Sequence, residues 1–382
     1  MMMMILLNAI EDIIDNNVDG NNVGGNDDGN YDDNECSLFL APSKTFPGRG
    51  IVSSIDIDGD TAIDFSAITL PVPLSKISTW QLNNYVYASE DEDYAMCIFG
   101  MAMIFNHMNN DTYTAHHYWD ESDNITKIAD VLNDPSSTYN TVTYSIRKNF
   151  TVQAGHEVFA TYGDENWFID RGIEQIDIDI NELEVYSKDE LEKVGHCMTH
   201  VMIYDSDIPL SGRGLFAMRD FKKGEIVDIT PVLLLPKHDV QQTANETVLM
   251  NYCITAPGLD IVLLPIGFSA AINHNTEYLS NLVLEWYQWS SDTDRKTKDD
   301  PLDELLKSEF SPLDIAFRAK RDILYGEELT INYGVEWIEE WASYLASTYR
   351  YNTTTNQRLF RHPIIAHDGF FPKHWFQHRD EL

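Results

Sequence analysis

The sequence predicts a mostly β, α+β fold of small curved sheets with few helices, in which one domain plan is built twice. Short apolar segments alternate with turn residues along both halves of the chain, as is typical of compact β-rich domains. The 382 residues, 43% of them hydrophobic, suffice for two packed domains with flanking tails. A long internal repeat indicates that these two domains are copies of each other.

The repeat keeps its order and nearly keeps its spacing. Four features recur after 167 residues: Asn84-Tyr85 as Asn251-Tyr252, Gly100 as Gly267, Asn106-His107 as Asn273-His274, and Trp119 as Trp286. Upstream, Gly48-Arg49-Gly50 recurs after 164 residues as Gly212-Arg213-Gly214. Downstream, Gly155-His156-Glu157 and Tyr162-Gly163 recur after 171 residues as Gly326-Glu327-Glu328 and Tyr333-Gly334. A period this long, seen twice, indicates duplication of a whole domain.

Composition divides the chain into five segments. Residues 1–35 form an acidic, Asn-rich tail, which we predict to be disordered because it has too few large apolar groups to offset its ordering entropy. The first half (residues 36–172) and the second half (residues 197–345) are the two copies, joined by an acidic linker at 173–196. Residues 346–382 are an aromatic- and His-rich C-terminal tail.

Strands are predicted where apolar residues run between turn residues. These segments are Ser37–Leu40, Gly50–Ile55, Leu215–Phe216, Ile226–Thr230, Ile261–Leu264, Leu282–Tyr287 and Leu329–Tyr333. The polar stretches 120–140 and 290–311 are predicted to be surface loops.

Two helices are predicted. Ser187, followed by acidic residues, is typical of a helix N-cap at the end of the linker. Trp337, Trp341 and Leu345 share one helical face, so residues 335–345 are predicted to form an amphipathic helix over the core.

Charge and cysteine content restrict the functional classes. The net charge of −36 repels phosphates, which argues against direct nucleic-acid binding and favours a basic protein partner. The four cysteines form no Cys-x-x-Cys pair, so no structural metal site is expected. Cys36 and Cys197 open the two halves, which suggests equivalent core positions; the sequence leaves open whether they form a disulfide.

The compartment stays open between the nucleus or cytoplasm and the endoplasmic-reticulum lumen. The chain ends in Arg-Asp-Glu-Leu, a close variant of the lumenal retention tail, and contains five glycosylation sequons, at Asn110, Asn124, Asn149, Asn245 and Asn352. The apolar run at residues 1–10 lacks a basic flank and resembles no signal peptide. It is also too short to span a bilayer, so no membrane span is expected.

Three motifs of the second half resemble the SET domain of protein lysine methyltransferases. They are Gly212-Arg213-Gly214, Asn273-His274, and the run from Gly326-Glu327-Glu328 to Tyr333-Gly334. The first half matches more loosely through Gly48-Arg49-Gly50, Asn106-His107 and Tyr162-Gly163. The resemblance covers about three quarters of the chain as a tandem pair, and in this family the Asn-His segment threads under a later loop as a pseudoknot.

The resemblance implies a role for each residue. Gly212, Arg213 and Gly214 would line the methionine part of S-adenosylmethionine, because a glycine turn lets backbone approach a ligand closely. Asn273 and His274 would hold its amino group and adenine, and the Tyr333 hydroxyl would orient the lysine amine. The corresponding, weaker candidates of the first half are Gly48, Arg49, Gly50, Asn106, His107 and Tyr162.

The departures from the family pattern leave two functions open. Asn275 stands where many members have Ser, Asn281 is the candidate for a later conserved Asn, and Thr114 occupies the equivalent place in the first half. The favoured function is an S-adenosylmethionine-dependent methyltransferase acting on an accessible lysine of a basic protein, with the second half as the more promising copy. The alternative is a non-catalytic pair of SET-like domains that serves as a scaffold for a basic partner.

Overall fold

Short antiparallel strands build the first half. The computed structural model describes residues 36–64, 68–88, 93–108, 114–119, 142–162, 165–173, 183–208, 211–243, 247, 249–255, 259–289 and 296–334. The strands of the first half are β1 (Leu38–Pro42), β2 (Arg49–Ser53), β3 (Ala62–Asp64), β4 (Ile68–Pro73), β5 (Tyr87–Ala88), β6 (Tyr94–Phe99), β7 (Asn106–His107), β8 (Ala115–Trp119), β9 (Val142–Ile146) and β10 (Glu157–Ala160).

The rest of the described chain repeats this plan. Its strands are β11 (His196–Cys197), β12 (Val201–Asp205), β13 (Arg213–Ala217), β14 (Ile226–Pro236), β15 (Ile254–Thr255), β16 (Ile261–Pro265), β17 (Asn273–His274), β18 (Leu282–Tyr287), β19 (Leu313–Ala319) and β20 (Glu328–Ile331). The helices are α1 (Leu74–Ile77), α2 (Glu165–Ile169), α3 (Lys188–Val194), α4 (Lys237–Gln242) and α5 (Leu302–Leu306). Four short 3₁₀ turns lie at Gln81–Asn84, Met101–Met103, Leu249–Tyr252 and Phe268–Ala271. The predicted β-rich fold class with few helices is confirmed.

The sheets of the two halves have corresponding strands, except that β11 is added to one sheet of the first half and the other sheet is divided there. One sheet runs β11-β1-β2-β10-β7 and its counterpart β12-β13-β20-β17. The second half has a five-stranded sheet, β15-β16-β14-β19-β18, where the first half has two three-stranded sheets, β3-β9-β8 and β4-β6-β5. The difference arises because the single long strand β14 occupies the places of both β3 and β4.

One parallel pairing in each half positions the Asn-His motif. In the first half β7 lies parallel to β10, with Asn106 opposite Phe159. In the second half β17 lies parallel to β20, with Asn273 opposite Thr330. Each tyrosine candidate follows the second strand of its pair, so this pairing brings residues distant in sequence to one place.

The linker ends in a helix and a disulfide. Ser187 caps α3 through a reciprocal capping box with Glu190, which confirms the predicted N-cap. Strand β11 then pairs with β1, and Cys197 forms a disulfide with Cys36. The suggestion that these cysteines are equivalent positions is wrong, because β1 corresponds to β12 after a shift of 163 residues. That shift places Thr199 opposite Cys36 in the repeat.

The two halves share one apolar core. A single cluster of buried side chains extends from Leu38 to Ile331 and includes strands of both halves. The Gln81 side chain joins them, because its Nε2 donates to Leu305 O at 2.7 Å and its Oε1 accepts from Leu234 N at 2.9 Å. Described residues of both halves therefore belong to one compact unit.

Each predicted strand is present. Most have bounds that differ from the prediction by a few residues, and β18 has the predicted bounds. The prediction that residues 290–311 form a surface loop holds in part over the described residues 296–311, which are mostly exposed or half-buried but are not a loop throughout. This part contains α5, buries Leu305 at 1% exposure and contacts the first half, because its apolar positions cover the joint between the halves. The predictions for residues 1–35, 120–140 and 335–382 lie outside the described residues, as do those for 174–182 and Gly163.

Candidate active site

The glycine turn of the second half lets two polar side chains reach the backbone. Gly212 has a φ of +68°, a conformation that favours glycine. At Gly214, an added Cβ would lie 2.3 Å from Glu328 Oε1 and 3.2 Å from Asn273 Nδ2. The space that this glycine leaves is therefore filled by the chain's own carboxylate and amide.

Asn273 is oriented by this contact. Its Nδ2 donates to Arg213 O at 2.8 Å, to Glu328 Oε1 at 2.9 Å and more weakly to Ser206 Oγ at 3.1 Å. Within the described part of the chain its Oδ1 accepts no hydrogen bond. The amide therefore presents an acceptor, the atom that an ammonium group of a ligand would need.

The His274 ring holds the backbone of Tyr333 in place. The backbone N–H of Tyr333 donates to His274 Nδ1 at 2.9 Å, and the two rings lie 5.3 Å apart. Burial lowers the pKa of His274 to about 4, so the imidazole is neutral and Nδ1 can accept. The Tyr333 hydroxyl donates to Ile272 O, and burial, followed by the charge of Glu328, raises its pKa. The structure thus brings together the predicted Asn, His and Tyr around a neutral phenol.

The first half repeats these contacts. Asn106 Nδ2 donates to Arg49 O at 2.9 Å and to Glu157 Oε1 at 2.5 Å. The Tyr162 N–H donates to His107 Nδ1 at 3.0 Å, and its hydroxyl donates to Phe105 O at 2.7 Å. The candidates Asn106, His107 and Tyr162 therefore converge as their counterparts do.

One carboxylate in each half, Glu157 and Glu328, contacts the Asn amide but was not among the site residues predicted from the sequence. Glu157 accepts from Ser43 Oγ at 2.6 Å, and Glu328 accepts from Ser206 Oγ at 2.7 Å. Burial raises the pKa of Glu157 to about 7, against the hydrogen bonds from Ser43 and Asn106. The signal was present in the repeat, because this Glu is kept in both copies whereas the residue before it changes from His156 to Glu327.

Asn281 and Thr114 make equivalent hydrogen bonds to the backbone in the two halves. Asn281 Oδ1 accepts from Thr330 N at 2.8 Å, and Thr114 Oγ1 accepts from Phe159 N at 3.0 Å. Both side chains therefore hold the strand that carries the Glu shared by the two halves. These contacts give neither side chain a role in binding a ligand.

The two arginines of the glycine turns differ. Arg49 Nη2 contacts Asp314 Oδ2 of the second half at 2.9 Å, and both side chains are almost fully buried. Its guanidinium also lies over the Trp289 ring, 4.9 Å from the centroid. Arg213 instead faces Asp205 at 3.3 Å, where the Asp205 side chain is 92% exposed. The Arg49 side chain therefore joins the halves, while the Arg213 side chain lies near the surface.

Two cavities meet at the motifs of the first half. The larger, of about 240 Å³, is lined by Gly48, Asn106, His107 and Tyr162 among others. The smaller, of about 210 Å³, has Tyr162 among the five aromatic side chains that line it. Tyr162 thus lines both cavities.

Among the described residues, no group of three or more His, Cys, Asp or Glu side chains could hold a metal ion. No helix in the described ranges is long and apolar enough to cross a bilayer.

Comparison with known proteins identifies part of the chain. The family model described as SET domain matches residues 212–334. A comparison with curated proteins found no match.

Solved structures show local similarity. A Plasmodium falciparum protein, provisionally assigned as a histone methyltransferase, aligns over 36% of this chain and 96% of its own, with 23% identity and a TM-score of 0.25. The polycomb repressive complex 2 of Chaetomium thermophilum aligns over 38% of this chain and 18% of its own, with 21% identity and a TM-score of 0.27. A structure of that complex in an autoinhibited conformation, bound to S-adenosylmethionine, aligns over 47% and 23%, with 20% identity and a TM-score of 0.27. This chain thus matches about a fifth of each polycomb chain.

The family match begins at the glycine turn and ends just after Tyr333, so it encloses every motif described for the second half. Residues 212–334 of this chain are therefore a SET domain.

Proposed function

We propose that this protein transfers a methyl group from S-adenosylmethionine to a lysine side chain of a protein. The observation that carries the proposal is the neutral phenol of Tyr333 within the SET domain. Ile272 O accepts from this hydroxyl, and His274 Nδ1 accepts from the Tyr333 backbone N–H. The amide of Asn273, the residue before His274, is oriented by Arg213 O. S-adenosylmethionine, when bound, supplies an activated methyl group.

The residues present fit this cofactor. The Asn273 Oδ1 acceptor suits the cofactor's ammonium, and its orientation is enforced by the Arg213 carbonyl and Glu328. Gly212 and Gly214 keep the adjacent backbone free of side-chain bulk. We propose Gly212, Arg213, Gly214, Asn273 and His274 as cofactor-binding residues and Tyr333 as the catalytic residue.

The chain's contribution to catalysis would be alignment. Methyl transfer is an in-line displacement, and well-held reactants gain roughly 7–11 kcal/mol from positioning. Tyr333 provides such a reference point, because one hydrogen bond holds its hydroxyl and another holds its backbone N–H. Because Tyr333 stays protonated, it serves as a polar anchor for the amine rather than as a base.

We further propose that the chain is a tandem of SET-like units. The first half (36–172) repeats the contacts of the second half (197–345) at Asn106, His107, Glu157 and Tyr162. These are interactions of side chains with defined partners, which a shared β-rich composition alone would not reproduce.

The proposed substrate is a basic protein with an accessible lysine. The net charge of −36 would attract such a partner and speed its encounter. The same negative charge disfavours direct contact with nucleic acid.

Calorimetric titration with S-adenosylmethionine and a methyl-transfer assay on a proteome extract test this function. Tyr333→Phe should lower SET-domain turnover by about a hundred-fold or change the number of methyl groups added, with cofactor affinity kept. Asn273→Ala should weaken cofactor binding at this site. If the wild-type protein binds no S-adenosylmethionine and methylates nothing, the proposal fails and the non-catalytic scaffold takes its place.

A further inference from the structure

The turn that follows β9 carries an Asn-x-Thr sequence on the surface of the first half. Asn149, Phe150 and Thr151 form this sequence, and Asn149 and Thr151 are both exposed. Of the five sequons in the chain, this is the one whose three residues all lie within the described ranges. The two residues that define an N-glycosylation sequence are thus both presented to solvent.

Backbone hydrogen bonds hold this turn in place. The Phe150 N–H donates to Arg147 O at 2.8 Å, which closes a tight turn that contains Asn149. Just beyond the turn, Val152 and Ile57 exchange two backbone hydrogen bonds, of 2.8 and 2.9 Å. Asn149 therefore stands on a fixed part of the backbone.

The middle residue of the sequence anchors it to the protein. The Phe150 side chain is half-buried and packs against the apolar core. The Arg147 guanidinium lies over its ring, 4.4 Å from the centroid. By contrast, the Asn149 amide and the Thr151 hydroxyl make no hydrogen bond with other described residues. Both groups therefore stay available to an enzyme that recognises them.

A threonine of another sequon shows what a purely structural role looks like. Thr247, in the sequon that begins at Asn245, is 2% exposed, and its hydroxyl donates to Pro71 O at 2.8 Å. The packing of the protein thus accounts for the Thr247 hydroxyl. No such contact among the described residues accounts for the hydroxyl of Thr151.

A sugar chain on Asn149 would leave the cavities of the first half open. No residue from 147 to 151 lines either cavity. The turn follows the central strand of the sheet β3-β9-β8, and its Asn is exposed. A large hydrophilic group can therefore be carried there without the loss of buried contacts.

The disulfide is an independent observation that bears on the same modification. Cys36 and Cys197 are bonded to each other, and disulfides form and persist in oxidising compartments such as the lumen of the endoplasmic reticulum. Glycosylation of Asn-x-Ser/Thr sequences is likewise a modification of secreted and lumenal proteins. Two features that are unrelated in sequence thus indicate the same compartment.

We infer that Asn149 carries an N-linked oligosaccharide and that this chain folds in an oxidising lumen. In the step, Asn149 Nδ2 forms a bond to C1 of the first sugar of an oligosaccharide that is carried on a lipid pyrophosphate. The bond from C1 to the pyrophosphate oxygen breaks, its electron pair leaves with the pyrophosphate, and the amide releases one proton. The inference goes beyond the proposed methyl transfer and does not depend on it.

Peptide mapping of the full-length protein, purified from the cells that naturally produce it, tests this inference. Enzymatic release of N-linked sugars in heavy-oxygen water converts the carrier Asn to a labelled aspartate, which should appear at position 149. Asn149→Gln and Thr151→Ala should each abolish modification of this turn, and Thr151→Ser, which keeps the hydroxyl, should retain it. Lys148→Gln is the matched control, because it changes an exposed residue of the same turn and leaves the sequon intact.

The wild-type protein alone can overturn the inference. Recovery of the peptide with Asn149 unmodified throughout would do so, even if other sequons carry sugar. A label at position 149 that survives Thr151→Ala would also contradict it, because the transfer would then not depend on the sequon. A variant that fails to fold leaves the test intact, since the first measurement needs no substitution.

Discussion

Arg49 of the first glycine turn and Asp314 of the SET domain form a buried ion pair, with Nη2 and Oδ2 2.9 Å apart. Trp289 Nε1 donates to the same carboxylate oxygen at 3.0 Å. Arg49, which the repeat aligns with the proposed cofactor-binding residue Arg213, therefore joins the two halves.

Removing one partner of this pair should destabilise the whole described unit. Arg49→Met leaves the Asp314 charge buried without its cation, so we expect a loss of about 3–5 kcal/mol in the free energy of unfolding. Urea denaturation followed by tryptophan fluorescence measures it.

The repeat supplies the control. Arg213→Met removes the equivalent arginine, whose partner is exposed, and should cost no more than about 1 kcal/mol. Similar losses in the two variants would contradict the structural role given to Arg49.

The Glu157 carboxyl should make stability depend on pH near neutrality. Burial raises its pKa from 4.5 to about 7, so the folded state binds more protons than the unfolded state between these values. The contribution of Glu157 to the free energy of unfolding is complete below about pH 4.5 and is lost as pH rises through 7. The unfolding free energy of the wild type relative to Glu157→Gln should therefore fall by about 2–3 kcal/mol between pH 5 and pH 8.

Glu328→Gln serves as the matched variant, because it changes the equivalent carboxylate of the SET domain and leaves Glu157 in place. It should retain the wild-type dependence on pH. If Glu157→Gln retains it as well, another group is responsible.

His274 should make the protein less stable at acid pH, which is the opposite of the effect of Glu157. Its folded pKa of about 4 lies below the ordinary value of 6.5, so between these values the unfolded state binds more protons. Stability should therefore decrease as pH falls from 6.5 to 4, since protonation removes the Nδ1 acceptor of the Tyr333 N–H. Thermal melts of His274→Asn, which keeps an acceptor but does not titrate, should lose less on acidification.

The exposed His238 provides a comparison for that series. His238→Asn should follow the wild type at every pH. A wild-type acid response that survives in His274→Asn would exclude His274 as its source.

The disulfide between Cys36 and Cys197 closes a loop of 161 residues. Cys197→Ser should lower the free energy of unfolding by about 2–4 kcal/mol, and non-reducing peptide mapping of the wild type should recover the two cysteines linked. Cys253→Ser, at a free cysteine, controls for the substitution itself. Ready alkylation of both Cys36 and Cys197 in the native, unreduced protein would refute the bond.

Local and repeated features could be predicted without coordinates. The capping box at Ser187 depends on residues three apart, and strands such as β18 depend on alternation within a few residues. The Asn-His and Tyr positions could be found because they recur at nearly constant spacing and because a family pattern suggested roles for them. Glu157 and Glu328 were visible in the same register, but only their contacts with the amides show what they do.

The sequence alone determined that the chain is β-rich, and that a glycine turn, an Asn-His pair and a tyrosine each occur twice in the same order, because these follow from short-range pattern and spacing. Only the tertiary structure decided that Arg49 pairs with Asp314, that Cys36 bonds to Cys197, and that residues 309–311 wall a cavity of the other half. The physical reason is that these contacts join residues more than a hundred positions apart. Their partners are selected by how the two halves pack, which no local propensity encodes.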